Sequence, residues 1–179
     1  MQQQGEGEGA NKNNNNNKAG SVSRSLSLQN THVKLLAFDL LSLTQSPSAF
    51  TTTTSFCRRG IPLSRVETLG TVTLRDLKPD RFLRFALDDG TACVPCILWL
   101  NNRHSRSVAR RRRHELASRF VPLVTLGAVA RVRGRLARYK GTVQVVVSDV
   151  VLERDPNAEI LHRLDCIFLA RNCYNLLPK

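Results

Sequence analysis

Apolar and polar residues alternate through several segments of this 179-residue chain, and the alternation predicts a protein built mainly from β-strands. In the clearest segment every second residue from Leu83 to Leu87 is apolar, so Phe82 and Arg84 lie on the opposite face. Residues 88–91 follow and read Asp-Asp-Gly-Thr, a hairpin turn in which Gly supplies the positive φ. The five predicted strands span residues 66–74, 81–87, 93–100, 127–137 and 142–152.

The order of these strands predicts how they are arranged. The first contains Gly70, a residue type found where a strand bends or another backbone approaches closely. A hairpin and a third strand follow, then a polar insert at 101–120 with a helix over 107–120, and finally a second hairpin. This is the order of the five-stranded Greek-key barrel called the OB-fold. We therefore predict an all-β fold, a five-stranded OB-fold barrel with flanking helices.

The two ends of the chain differ from its centre. Residues 1–30 are rich in Asn, Gln, Gly and Ser, which predicts a disordered tail before an OB-fold domain at 31–179. At the other end, Asp155-Pro156 is typical of a helix start, because Asp caps a first turn and Pro suits its first position. Apolar residues then recur at helical spacing. An amphipathic C-terminal helix is predicted over 156–174, with Ile160, Leu161, Leu164, Ile167 and Phe168 as its apolar stripe.

Charge adds a candidate partner to this fold. The formal net charge is +13 and the isoelectric point is about 10.6. Twelve of the 27 Lys and Arg residues fall between Leu100 and Lys140, where Glu115 is the single acid. Such local basicity favours a phosphate backbone as partner, with a solvated surface as the alternative. Within it, the run Arg110–Arg113 fits a nuclear-import signal or a flexible phosphate clamp equally well.

Three of these cations form a pattern. Arg131, Arg133 and Arg135 lie at alternate positions of the fourth predicted strand and therefore project from one face. Like charges on one face repel one another unless anions lie across them. Those anions are either nucleic-acid phosphates or, in a purely structural alternative, acidic side chains on neighbouring strands.

Proteins that bind single strands combine a basic groove with aromatic rings on which bases stack. Phe82, on the face opposite the predicted core, and Tyr139, in the second hairpin, are the predicted stacking rings. Trp99 and Phe85 are expected in the core, because large rings are usually buried in small barrels. The predicted DNA-binding residues are Arg81, Phe82, Arg84, Arg131, Arg133, Arg135, Arg138, Tyr139 and Lys140.

No catalytic or metal site assembles from the sequence. Cys93-x-x-Cys96 suggests zinc, but two strand positions three apart face opposite sides and cannot chelate one ion. The carboxylates of Asp88 and Asp89 are explained by the turn they form. We therefore predict a protein that is not an enzyme and has no metal and no cofactor. Five scattered cysteines indicate a reducing compartment, and no apolar run is long enough to cross a membrane.

Four dispersed blocks resemble a known family. They are similar to OB-fold proteins related to the middle subunit of replication protein A, and among these to the Stn-type subunit of the telomeric CST complex, especially its short plant form. The longest reads Phe-Ala-Leu-Asp-Asp-Gly-Thr-Ala-Cys-Val-Pro-Cys-Ile-Leu-Trp, with Ala92 where the family often has Gly. The blocks are 85–99, 32–44, 127–135 and 153–162, and the resemblance extends from residue 32 to 179.

The resemblance implies a non-enzymatic subunit of a nuclear, telomere-capping complex. That complex binds single-stranded telomeric DNA, protects chromosome ends and supports fill-in of the C-rich strand with DNA polymerase α-primase. It also implies that the C-terminal helix binds a small Ten-type OB subunit, while a large CST subunit completes the assembly. The expected partner-binding residues are Leu164, Ile167, Phe168 and Tyr174; the alternative is that the helix plugs its own barrel.

Two other functions stay open at this point. One is a pure assembly module whose basic face binds acidic protein. The other is an RNA-binding OB module, since the sequence contains no recognisable reader of the 2′-hydroxyl.

Overall fold

The computed structural model describes residues 28–46, 55–101 and 107–174, and these ranges contain eight strands and three α-helices. The strands are β1 (Leu28–Lys34), β2 (Thr44–Ser46), β3 (Ser55–Arg58), β4 (Ile61–Lys78), β5 (Phe82–Asp88), β6 (Cys93–Trp99), β7 (Val129–Tyr139) and β8 (Thr142–Leu152). The helices are α1 (Ala37–Leu41), α2 (Val108–Phe120) and α3 (Ala158–Leu169), and a π-helical segment (Ala170–Tyr174) continues α3. The predicted tail at 1–30 falls outside the described residues except for its last three, which belong to β1.

Five strands close into a barrel in the order β4, β5, β6, β8, β7 and back to β4. Neighbours are antiparallel except β6 and β8, which are parallel and meet at Cys96↔Val145 and Ile97↔Val146. This is the OB-fold connectivity, so the predicted fold class and strand order are confirmed. The predicted helix at 107–120 is also confirmed, since α2 lies between β6 and β7.

The long β4 belongs to both halves of the barrel. Its first part pairs with β7 up to Thr71, and from Thr71 onward it pairs with β5. Gly70 lies at this crossover, where an added Cβ would come within 2.6 Å of the Asp88 carbonyl oxygen. The prediction that another backbone approaches Gly70 is therefore confirmed.

The barrel interior follows the alternation predicted from the sequence. Leu83, Phe85 and Leu87 of β5 are fully buried, and Ala117 of α2 packs into the same cluster at one end of the barrel. His114 reinforces this end, because its Nδ1 lies 2.7 Å from the Leu100 carbonyl and donates to it. Most buried apolar side chains of the described residues belong to this one cluster.

The Asp-Asp-Gly-Thr turn has a second role. Asp89 reaches the start of α1, where the Ala37 backbone N–H donates to its Oδ2 at 2.7 Å, and the neighbouring Phe38 N–H donates to Thr91 Oγ1 at 3.1 Å. The other carboxylate oxygen of Asp89, Oδ1, accepts from the Thr91 backbone N–H and from the Thr91 hydroxyl. Burial raises the pKa of Asp89, but these hydrogen bonds outweigh it and leave that pKa below the ordinary value. The turn therefore joins the N-terminal segment to the barrel.

The C-terminal helix packs on the barrel with the side opposite its predicted apolar stripe. Its barrel side consists of Ala158, His162 and Cys166, whereas the predicted apolar stripe from Ile160 to Phe168 faces away. Ala158 and Cys166 are small and allow the helix to approach closely, so the large apolar side chains are left outside. The helix begins two residues later than predicted, because Asp155 Oδ1 instead accepts from the backbone N–H of residue 157 in a short turn.

Polar contacts hold α3 in place. Lys34 Nζ lies 2.5 Å from Asp165 Oδ2, and Arg163 Nη2 donates to the Asp89 carbonyl at 2.8 Å. The helix is thus tied to both β1 and the β5–β6 turn. Among the helices of the described ranges, none is long and apolar enough to cross a lipid bilayer.

Candidate nucleic-acid interface

Three aromatic rings lie on the outer face of β5, β6 and the β7–β8 hairpin. Phe82 and Trp99 are direct cross-strand partners, and their rings meet edge to face at 5.9 Å between centroids. The prediction that Trp99 belongs to the core is wrong, since it is 44% exposed, while the same prediction for Phe85 is confirmed. The reason is strand alternation: Leu98 faces inward, so the next residue faces outward.

Cations surround these rings. The Arg84 guanidinium carbon lies 5.0 Å from the centroid of Phe82 and 5.9 Å from that of Tyr139. Arg81 lies over Phe82 at 5.8 Å, and Lys140 lies over Tyr139 at 5.6 Å. Each contact is a cation–π interaction, which holds the charge beside a ring without neutralising it. We call Phe82, Trp99, Tyr139, Arg81, Arg84 and Lys140 the aromatic–basic face.

Two turns border the aromatic–basic face. One joins β4 to β5, and the other is the two-residue turn Lys140-Gly141, with φ values of 49° and 84°. Arg138 stabilises the second turn by donating from Nη1 to the Gly141 carbonyl at 3.1 Å. OB-fold proteins bind oligonucleotides on the second and third barrel strands and on these two loops. Six of the nine predicted DNA-binding residues, all in or next to these loops and strands, are therefore brought to one region.

The predicted row of free arginines on β7 requires correction. Arg131 donates to Glu67 Oε1 at 3.0 Å and to Glu153 Oε1 at 2.6 Å. Arg133 donates to Glu67 Oε2 at 2.6 Å, and its Nη1 lies 3.6 Å from Asp149 Oδ2. Acidic side chains therefore already lie across these two arginines, as the structural alternative proposed. Both are positioned for the ion-pair cluster rather than for DNA.

Glu67 is the centre of that cluster. It is 4% exposed, and burial by itself raises its pKa. The hydrogen bonds and charges of Arg133 and Arg131 more than compensate, so the pKa of Glu67 is lowered from its ordinary value. Arg135, the third predicted residue of the row, differs because it is exposed and lies opposite Arg65 of β4.

Three of the four predicted partner-binding residues are exposed on α3. Leu164, Ile167 and Phe168 are on the outward side of the helix. Tyr174 is not, because it packs in the core cluster with the Arg58 guanidinium 5.8 Å from its ring centroid. We call the outward stripe the α3 apolar face; it consists of Ile160, Leu161, Leu164, Ile167 and Phe168.

Metal-binding chemistry does not assemble in the part of the chain that the structure describes. No group of three or more His, Cys, Asp or Glu side chains there is placed to hold an ion. Cys93 is exposed and Cys96 is buried, as expected for opposite faces of one strand. Burial raises the pKa of the Cys96 thiol, which keeps it protonated.

Comparison with known proteins gives the family. No family model matches the chain. The CST complex subunit STN1 of Arabidopsis thaliana is 46% identical over 157 residues, which cover 84% of this chain and 96% of that protein. A chain of the S. pombe Stn1-Ten1 complex has a TM-score of 0.64 at 14% identity, covering 80% of this chain and 94% of its own length. A chain of a replication protein A heterotrimer bound to single-stranded DNA has a TM-score of 0.60 at 16% identity, covering 79% and 97%.

The barrel and its C-terminal helix define an OB-fold protein of the kind found in replication protein A and Stn1-Ten1 assemblies. The identity to the Arabidopsis protein, over nearly all of its length, is more specific. This chain belongs to the STN1 family of CST complex subunits.

Proposed function

We propose that this protein is a nuclear, telomere-associated CST subunit that binds single-stranded DNA without catalysing a reaction. In this role it protects chromosome ends and supports C-strand fill-in, with DNA polymerase α-primase as a further partner. The observation that carries the proposal is the aromatic–basic face, in which three rings and three cations lie together on the outer side of β5, β6 and the β7–β8 hairpin.

The chemistry of that face fits a single strand better than a duplex. Exposed rings accept unpaired bases, and each stacked base contributes about 1–3 kcal/mol. The cations beside the rings neutralise phosphates and release counterions, so binding depends on salt. In a duplex the bases are already stacked on one another and the rings have no access to them.

Removal of a stacking ring tests the proposal directly. We expect Phe82→Ala and Tyr139→Ala each to weaken binding to telomeric single-stranded DNA by about 5-fold to 100-fold, since each removes one stacking platform. Fluorescence anisotropy with single-stranded DNA, scrambled single strand, duplex and RNA across a salt series measures this. Phe38→Ala is the matched control, because Phe38 is an exposed ring on α1, outside the aromatic–basic face. Equal binding to duplex, or unchanged affinity of both ring variants, contradicts the proposal.

The α3 apolar face supports a second part of the proposal, a small Ten1-type OB subunit as partner. Five large apolar side chains on one side of a helix are unusual on a monomer surface and are typical of helix-mediated assembly. The S. pombe relative in fold was solved as a Stn1-Ten1 complex. A large CST subunit would complete the assembly.

A charge on the α3 apolar face tests the partner. We expect Leu164→Glu and Phe168→Glu to abolish co-elution with a Ten1-type subunit in gel filtration without DNA, because the interface would bury an unpaired carboxylate. Leu126→Glu is the control, since Leu126 is equally exposed but lies outside α3. Circular dichroism shows whether each variant is folded. Normal pairing by folded α3 variants would place the partner elsewhere.

A further inference from the structure

A groove beside Trp99 is not part of the aromatic–basic face. It lies between α2 and the outer side of β8, β7 and β4, and its volume is about 600 Å³. Leu116 and Phe120 of α2 and Val146 of β8 supply apolar walls. Its charged lining is entirely basic and consists of Arg65, Arg113 and Arg135, with His32 alongside.

Sheet register explains how the charges come together. Arg135 of β7 is directly opposite Arg65 of β4, and Arg65 is opposite His32 of β1. On its other side Arg135 is paired with Val146, which is itself paired with Ile97 of β6. One row across the barrel therefore runs from the strand that carries Trp99 to Arg135, Arg65 and His32, while Arg113 reaches the groove from α2.

Two like charges directly opposite each other destabilise a sheet unless an anion lies between them. Within the described ranges neither Arg65 nor Arg135 forms an ion pair or a hydrogen bond through its side chain. Arg131 and Arg133, on the same strand, have three carboxylates around them. Arg135 of β7 and Arg65 of β4, two arginines without such a partner in the described ranges, thus both line the groove.

We propose that a single DNA strand bound on the aromatic–basic face continues past Trp99 into this groove, where Arg65, Arg113 and Arg135 bind its phosphates. This inference rests on the proposed function. It is supported by charge complementarity and by continuity, because Trp99 both contacts Phe82 and lines the groove. From β5 to β7 there are three strand spacings, about 14 Å. The groove therefore lengthens the binding site by more than one nucleotide.

Oligonucleotide length separates the two surfaces. Anisotropy titrations with oligo-dT from about 4 to about 16 nucleotides span the site sizes of OB-folds. We expect wild-type affinity to rise with length. Arg65→Ala/Arg135→Ala should bind short DNA within about 2-fold of wild type but long DNA at least about 10-fold more weakly, with the salt slope reduced by about 1.4 for two lost phosphates. Arg113→Glu is an independent variant on α2 with the same expected length dependence.

The matched control removes the same charge elsewhere. Arg154→Ala/Arg171→Ala deletes two exposed arginines that line neither surface. If this control and Arg65→Ala/Arg135→Ala lost the same affinity for long DNA, the effect would come from net charge alone, and the groove proposal would be wrong. If the affinity of the groove variants rose with DNA length as in the wild type, the groove proposal would also be wrong. The proposed function would still stand if Phe82→Ala weakened binding to short DNA. Absence of single-strand binding by the wild type at every length would overturn both. Poly-glutamate serves as a probe for an acidic protein partner. If Arg65→Ala/Arg135→Ala lost poly-glutamate binding but bound DNA like the wild type, the groove would be a protein-docking site instead.

Discussion

At the scale of single residues, Glu67 determines which basic side chains are available to a ligand. It is buried, and it accepts hydrogen bonds from two arginines that are close together only because β4 pairs with β7. A buried carboxylate without partners is strongly disfavoured, and two adjacent arginines without an acid repel each other. The cluster therefore stabilises the barrel and removes Arg131 and Arg133 from the candidate interface.

We predict that Glu67→Gln lowers the free energy of unfolding at pH 7 by about 2–3 kcal/mol, less than for a fully buried pair because Arg133 is partly exposed. The pKa of Glu67 is lowered in the folded state, so its contribution is present above the ordinary value of 4.5 and is lost as the pH falls below it. Urea denaturation at pH 7 and at pH 3 measures the difference in free energy of unfolding between the wild type and Glu67→Gln. That difference should be smaller at pH 3. Glu115→Gln, on an exposed side of α2, is the control. A difference that grows in acid would contradict this account.

At the scale of elements, the β5–β6 turn connects three parts of the molecule. Its Asp89 caps the first turn of α1 and its carbonyl accepts from Arg163 of α3. Short helices such as α1 are unstable alone, so their position depends on such tertiary contacts. The turn that the sequence suggests for a simple hairpin therefore also anchors α1 and α3.

We predict that Asp89→Ala lowers the free energy of unfolding by about 2 kcal/mol, because it removes the cap of α1 together with the hydrogen bonds inside the turn. Asp88→Ala removes the hydrogen bond that Asp88 Oδ1 accepts from the Gly90 backbone N–H, and it should cost about 1 kcal/mol or less. Urea unfolding of the two variants side by side gives the comparison. Equal losses would show that the turn stabilises only itself. Since the pKa of Asp89 is lowered, its contribution too is lost as the pH falls below the ordinary value of 3.8.

At the scale of the whole molecule, positive charge is unevenly balanced. The net charge is +13, and the ion-pair cluster around Glu67 neutralises one part of β7 while the groove stays uncompensated. Self-repulsion of this kind destabilises a compact state and is screened by salt. Without DNA, the groove is therefore expected to reduce the stability of the fold that carries it.

We predict that added salt raises the melting temperature of the DNA-free protein, and that Arg65→Ala/Arg135→Ala raises it by about 2 °C or more at low salt, because the cross-strand opposition is removed. This increase in melting temperature over the wild type should disappear at high salt. Differential scanning fluorimetry across a salt series tests this, with Arg154→Ala/Arg171→Ala as the control. A lower melting temperature for the groove variant would mean that the two arginines stabilise the sheet.

Much of this arrangement could be predicted along the chain. The five barrel strands, their order, the helix over 107–120 and the close approach at Gly70 all followed from periodicity and from residue types with special backbone needs, whereas β1, β2 and β3 were not predicted. Phe82, Tyr139 and the cations near them were also identified, because they lie at turns or on the polar side of an alternating strand. These are local properties, and neighbouring residues are enough to specify them.

The remainder depended on residues that meet only in the folded chain. Helical spacing showed that α3 has an apolar side, but the barrel accepted the side with Ala158 and Cys166, because small side chains allow the closer packing. Arg131 is not a free cation, because it is paired with Glu67, a residue 64 positions away in the sequence. Sequence by itself therefore determined the barrel and the type of surface it exposes. Tertiary structure alone decided which charges stay unpaired and which helix face stays uncovered, since pairing and burial depend on strand register and packing between distant segments.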